Sequence, residues 1–229
     1  MSNPPLTRSE ALAARGRLLM KLPLVESNED VSGVATAFLK GGDGPPLVLL
    51  HGQGGSAMAW LPVLDRLLAR HRVVVPDLPG LGESVVLDNE LDGPGVASWL
   101  GELVAKTCDE PPTIVGISLG GSIAAHFGVH QGEPCRQIVL VDSGSLAPFR
   151  PHPHVIPAMF RVSIRPTERN IERLFRQTTV DVDGMRARMG DDWPDFIGYG
   201  RERNTNPSVQ AVIVGSCGGL APSKSPCPS

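Results

Sequence analysis

The run Gly116-Ile117-Ser118-Leu119-Gly120 sets one hydroxyl between two glycines, at the end of the β-branched stretch Thr113 to Ile117. A serine on such a strand-to-helix turn is lifted above the sheet edge. The first N–H groups of the helix then point at any charge that builds up beside it. An acyl-transfer nucleophile needs this, because its attack creates an oxyanion within hydrogen-bond reach of the hydroxyl. A glycine-rich turn that merely packs a helix on a sheet would read the same way. The company of the motif decides between them.

That company lies at the ends of other apolar runs. Pro46 to Leu50 leads into His51-Gly52-Gln53-Gly54-Gly55. Val73 to Val75 opens into Asp77-Leu78-Pro79-Gly80-Leu81-Gly82-Glu83-Ser84, and Ile138 to Val141 ends at Asp142. Between these runs, Trp60, Leu61, Leu64, Leu67 and Leu68 recur at helical spacing, as do Val96, Trp99, Leu100, Leu103 and Val104. Strands alternating with helices predict a doubly wound, mostly parallel α/β sheet with right-handed crossovers. In such sheets ligands bind beyond the carboxyl ends of the strands, which puts His51, Asp77, Ser118 and Asp142 on one rim.

The remaining segments divide around this core. Residues 1–33 read as an N-terminal extension, with a helix from Ser9 to Lys21 followed by a loop. Residues 34–147 form the core, with Val34 to Leu39 as an edge strand before the turn signal Gly41-Gly42-Asp43-Gly44. The alternation stops at the proline-rich Ala147 to His154, and residues 148–213 read as a partial helical cap with pieces at Asn170–Phe175 and Val182–Met189. Residues 214–229, rich in Gly, Ser, Pro and Cys, are expected to be disordered.

Bulk properties narrow the function classes. A hydrophobic content of 41% with 20% charged residues suits a globular chain, and a net charge of −3 offers no general attraction to nucleic acid or anionic membranes. No apolar run approaches the length of a membrane span, and the first residues lack a secretory h-region, so a cytoplasmic location is expected. The four cysteines, Cys108, Cys135, Cys217 and Cys227, lack metal-ligand spacing and read as free thiols.

Three motifs in order, His51-Gly52-x-Gly54-Gly55, Asp77-x-Pro79-Gly80-x-Gly82-x-Ser84 and Gly116-x-Ser118-x-Gly120-Gly121, resemble the α/β-hydrolase superfamily in its cap-bearing serine hydrolase branch. The resemblance runs from about Gly41 to Pro148. It implies Ser118 as nucleophile, with the N–H of Leu119 and one from Gln53-Gly54 as the oxyanion hole. It makes His51 a structural loop residue and Asp77 a shaper of the rim. It implies a small ester or related acyl substrate, with C–C bond cleavage as an alternative, and no metal or organic cofactor. A serine here argues against the epoxide hydrolases and haloalkane dehalogenases, which attack with aspartate.

The chain departs from the family after the cap. Two further strands are expected there, one ending in an acid and a later one leading to a Gly-His, and neither is present. The sequence therefore reads as a C-terminally shortened member, its last core strands missing. The exposed sheet edge that this leaves would favour self-association. Asp142 stands where some members place their acid, while others place it later. Of the histidines after Ser118, His126 and His130 lie i, i+4 on a helix leading away from the serine. His152 and His154 lie at the cap entry, where a solvated loop role is the plain alternative to a general base. Two readings stay open: a serine hydrolase, or a non-catalytic binding module that keeps the pocket without the base.

Overall fold

The computed structural model describes residues 6–87, 91–130, 135–143, 153, 155–165 and 167–205. Helix α1 (Arg8–Leu19) starts at a capping box, in which the Thr7 hydroxyl accepts from the Glu10 N–H and the Glu10 carboxylate accepts from the Thr7 N–H. Strand β1 (Leu24–Val31) then pairs antiparallel with β2 (Val34–Gly41). This corrects two expectations. The segment read as a loop after the first helix is a strand, and β2 is not an edge strand but lies between β1 and β4 (Arg72–Pro76). β1 is mostly exposed and polar, so it lacks the apolar alternation that would reveal it. The available signal was Ser32-Gly33, a two-residue connection with φ of 50° and 76°, the positive pair that a tight hairpin requires.

The sheet runs β1-β2-β4-β3-β6-β7, with β3 at Pro46–Leu50, β6 at Thr113–Ile117 and β7 at Gln137–Val141; a short β5 (Val85–Val86) pairs with β2. Its β4-β3-β6-β7 half is parallel and its β1-β2 half antiparallel, giving a mixed seven-stranded sheet. Alternate residues of β3 serve opposite faces. Val48 and Leu50 join one core with Trp99, Leu100 and Leu103 of α3 (Gly93–Thr107) and Phe127 of α4 (Leu119–His130). Leu47 and Leu49 join the other, with Leu18 of α1, Leu64 of α2 (Leu61–Leu68) and Trp60. Burial on both faces explains why these central strands read as unbroken apolar runs.

Four helices follow the core: α5 (Ile156–Ile164), α6 (Glu168–Thr178), α7 (Val182–Met189) and α8 (Trp193–Thr205). The sequence showed all of α7, with the bounds expected, but only part of α6. α5 and α8 each carry a proline in the first turn, where it is tolerated because the N–H that it lacks has no intrahelical partner. The tail expected to be disordered, with Cys217 and Cys227, lies outside the described residues. So does the span where further core strands were sought after residue 205. No helix among the described residues is long and apolar enough to cross a membrane.

Candidate active site

The serine turn is built by the close approach of three backbones. Ser118 has φ of 51°, a left-handed conformation that non-glycine residues rarely adopt, and it sits between β6 and the first residue of α4. Its N–H donates to Val141 O at 3.0 Å, and the Gly120 N–H donates to His51 O at 3.1 Å. A side chain at Gly116 would run into the Gly120 carbonyl, and one at Gly120 into the Leu50 carbonyl, so both must be glycine. The strain at Ser118 is thus imposed by packing on both sides of the turn.

The loop after β3 lies against this turn. A Cβ added to Gly52 would stand 3.9 Å from Ser118 Oγ, and the loop closes on itself through Gly55 N–H to Gly52 O at 3.1 Å. Gln53 and Gly54 form the tip of that turn. Leu119 opens α4, where the first N–H groups have no intrahelical acceptor. The helix start favours negative charge beside the serine.

His51 and Asp77 hold the rim together. The His51 ring is wholly buried; its Nε2 accepts from the Leu78 N–H at 3.0 Å and its Nδ1 lies 2.8 Å from Gly52 O. An amide can only donate and a carbonyl only accept, so the proton is on Nδ1 and both nitrogens are engaged. Burial keeps the imidazole below its ordinary range, outweighing Asp77 Oδ1 at 4.0 Å and the bond to Gly52. Stability should therefore fall with pH below about 6.5, where the unfolded imidazole gains a proton that the folded one resists, by up to about 1.4 kcal/mol per pH unit. Denaturant midpoints from pH 7.5 to 5 should show a shallower slope in His51→Gln; an unchanged slope would assign the loss elsewhere.

The Asp77 carboxylate, 1% exposed, accepts from the Ala57 N–H at 2.6 Å and the Glu83 N–H at 2.7 Å. Its carbonyl accepts from Ser84 Oγ at 2.8 Å, and Ser84 Oγ accepts from the Ala37 N–H at 3.0 Å. One buried side chain thereby ties the loop after β4 to the segment leading into α2.

Asp142 follows β7 with φ of 45° and is exposed. The Val141–Ser118 bond brings its backbone beside the serine turn, but within the described residues its carboxylate has no hydrogen-bond partner. No described histidine is placed to take the serine's proton. His51 is fully engaged, and His71 precedes β4 at the opposite end of the sheet. His126 lies about 12 Å further along α4, at 1.5 Å per residue. His130 lies further still, while His152 and His154 fall outside the described residues. Among the described residues no three His, Cys, Asp or Glu side chains converge on a metal site.

A cavity of about 320 Å³ lies between the Gly52–Ser56 loop and the helices after the core. Val162, Ile171, Leu174, Phe175, Phe196 and Ile197 form its walls, and none of its lining side chains is charged. Ser118 does not line it; the two meet across Gly52. The sequence singled out none of these wall residues, since their apolar spacing looks like ordinary core.

A family model described as "Alpha/beta hydrolase family" matches residues 47–221. An uncharacterized protein of Mycobacterium tuberculosis is 33% identical over 116 residues, spanning 51% of this chain and 34% of that protein. A pimeloyl-[acyl-carrier protein] methyl ester esterase of Aeromonas hydrophila is 37% identical over 103 residues, 44% of this chain and 39% of that one. The matched stretches thus span little more than a third of these relatives. Among solved structures, naproxen esterase (carboxylesterase NP) of Bacillus subtilis superposes with a TM-score of 0.67 at 20% identity, over 88% of this chain and 69% of that one.

Proposed function

The chain belongs to the alpha/beta hydrolase family, and from that membership we propose that it is a serine hydrolase of small esters carrying a neutral, apolar acyl group. The observation that carries this reading is the left-handed Ser118 at the start of α4, facing the Gly52 loop that borders an uncharged apolar cavity. Ser118 Oγ attacks the ester carbonyl carbon and gives its proton to a base. The carbonyl oxygen becomes an oxyanion held by the N–H of Leu119 and one from Gln53-Gly54. The C–O bond to the alcohol then breaks, the alcohol leaves with the proton, and water releases the acid from the acyl-enzyme. Asp142 is the proposed acid, beside the serine turn. His152 and His154 are the first residues to test as the base. The Aeromonas hydrophila relative, a methyl ester esterase, supports an ester substrate.

A second reading has a specific observation in its favour. With no described histidine at Ser118, the site suits a binding module that keeps the pocket and lacks the base. Fluorophosphonate labelling of folded protein separates the two, because only an activated serine reacts.

The cavity adds a prediction about chain length. Gly200 lines the cavity, and a Cβ added there would meet nothing within 4 Å. Gly200→Leu should therefore fill acyl space without a backbone clash. It should lower kcat/KM for octanoyl esters by about 10- to 100-fold and leave acetyl esters within about twofold. Equal loss on both substrates would place the acyl chain elsewhere.

A further inference from the structure

The helix that walls the cavity, α8, is fastened to the first helix of the chain, α1. Arg17 of α1 grips Asp195 of α8 with two bonds, Nε to Oδ2 at 2.8 Å and Nη2 to Oδ1 at 2.7 Å. Lys21, just past α1, pairs with Asp192 immediately before α8. Ala11, Ala14 and Leu18 are buried along one face of α1, and the two small alanines let the helices come close.

A second tie runs from the same helix to the rim. Tyr199, the chain's only tyrosine, is 1% exposed and lines the cavity. Its hydroxyl donates to Glu83 Oε1 at 3.2 Å, and Arg8 Nη2 donates to Glu83 Oε2 at 3.0 Å. The Glu83 N–H is one of the two that hold the buried Asp77. Arg8, Glu83 and Tyr199 thus form a line from α1, through the Asp77 loop, to the cavity wall.

We propose that α1 is the strut of the cavity: Arg17–Asp195 and Arg8–Glu83–Tyr199 position α8, so that Asp195, Tyr199 and Glu83 are positioning residues for the group bound in the cavity. The carboxylates accept from cations on α1, and the bidentate Arg17 fork fixes orientation as well as distance. An exposed ion pair contributes little alone, so the effect comes from several ties converging on one helix already packed on α1. The α3 and α4 face of the sheet is built by other residues, while α1 and Tyr199 pack on the opposite face with Leu47 and Leu49. The role of the ties is to keep Phe196, Ile197 and Tyr199 over the Gly52 loop. The kinetic consequence rests on the proposed esterase reading: weaker ties raise KM for apolar esters and leave kcat nearly unchanged.

The test uses the full chain and readouts that do not need catalysis. Hydrogen–deuterium exchange is followed over residues 192–205, together with binding of the neutral apolar dye N-phenyl-1-naphthylamine. R17D and D195R should each speed exchange in α8 and weaken dye binding by roughly 3- to 10-fold. The double variant R17D/D195R restores the pair and should return both to within about twofold of wild type. Tyr199→Phe keeps the ring and should shift the same readouts by roughly threefold. Near-UV circular dichroism and unfolding midpoints identify any variant that has lost its fold, and recovery in the double variant still decides the case. Unchanged exchange and dye affinity in both single reversals would overturn the strut, as would losses that the double reversal fails to restore. Failure of serine labelling would leave all of these measurements standing and remove only the esterase reading.

Discussion

Ser118→Ala should abolish fluorophosphonate capture and lower hydrolysis of a medium-chain aryl ester by at least about a thousandfold. The variant keeps the helix start, the Gly52 loop and the cavity, and removes only the atom that forms the bond. What survives is the contribution of the backbone donors and of binding. Labelling that persists in Ser118→Ala would move the nucleophile elsewhere. No labelling of well-folded wild type would sink the active-enzyme reading and leave the binding module. If wild type labels, His152→Ala and His154→Ala are the next variants, since the described histidines are too distant or already engaged.

The same position carries a stability signature. A non-glycine residue at φ of 51° costs of order 1–3 kcal/mol, and the surrounding backbone enforces it here. Ser118→Gly relieves that strain, so it should exceed Ser118→Ala in stability by about 1 kcal/mol while being equally inert. Equal denaturant midpoints for the two would mean that the turn is not strained in solution.

Asp77→Ala should destabilise the fold by about 2–5 kcal/mol, the cost of leaving the Ala57 and Glu83 N–H groups buried without an acceptor. For a chain of this size that corresponds to a fall in Tm of roughly 5–15 °C. Asp77→Asn should fall between the two, because its amide supplies one acceptor oxygen and turns an N–H toward an N–H. The effect should also reach the site, since Ala57 begins the turn that follows the Gly52–Ser56 loop. A Tm within about 2 °C of wild type in Asp77→Ala would show that water or a shifted backbone satisfies both donors. Gly82 marks the crowding here: its φ is 55°, and a side chain on it would meet the Asp77 carboxylate.

Much of the parallel half was legible because its signals are local. A strand buried on both faces must be apolar throughout, as Pro46–Leu50 and Thr113–Ile117 are, and a serine flanked by obligatory glycines advertises a tight strand-to-helix turn. The rim followed from chain order, since parallel strands joined by helices send all their carboxyl ends to one side. β1 escaped because a largely solvated strand has no apolar pattern to show, and only Ser32-Gly33 marked it. The cap was partly legible: α5 and α8, each with a proline in its first turn, escaped, α6 showed only its middle, and α7 was read over its full length.

By itself, then, the amino-acid sequence determined the family, the strand–serine–helix turn and the shared rim, each set by residues adjacent along the chain. Tertiary structure alone decided what His51 and Asp77 do. Their roles depend on which backbone donors and acceptors come within about 3 Å, and those belong to loops far apart in sequence. It also decided that Ile171, Leu174 and Phe196 wall a cavity, where the same spacing would serve a solid core. The bond between Arg17 and Asp195 spans 178 residues, a pairing set by packing and written in no local pattern.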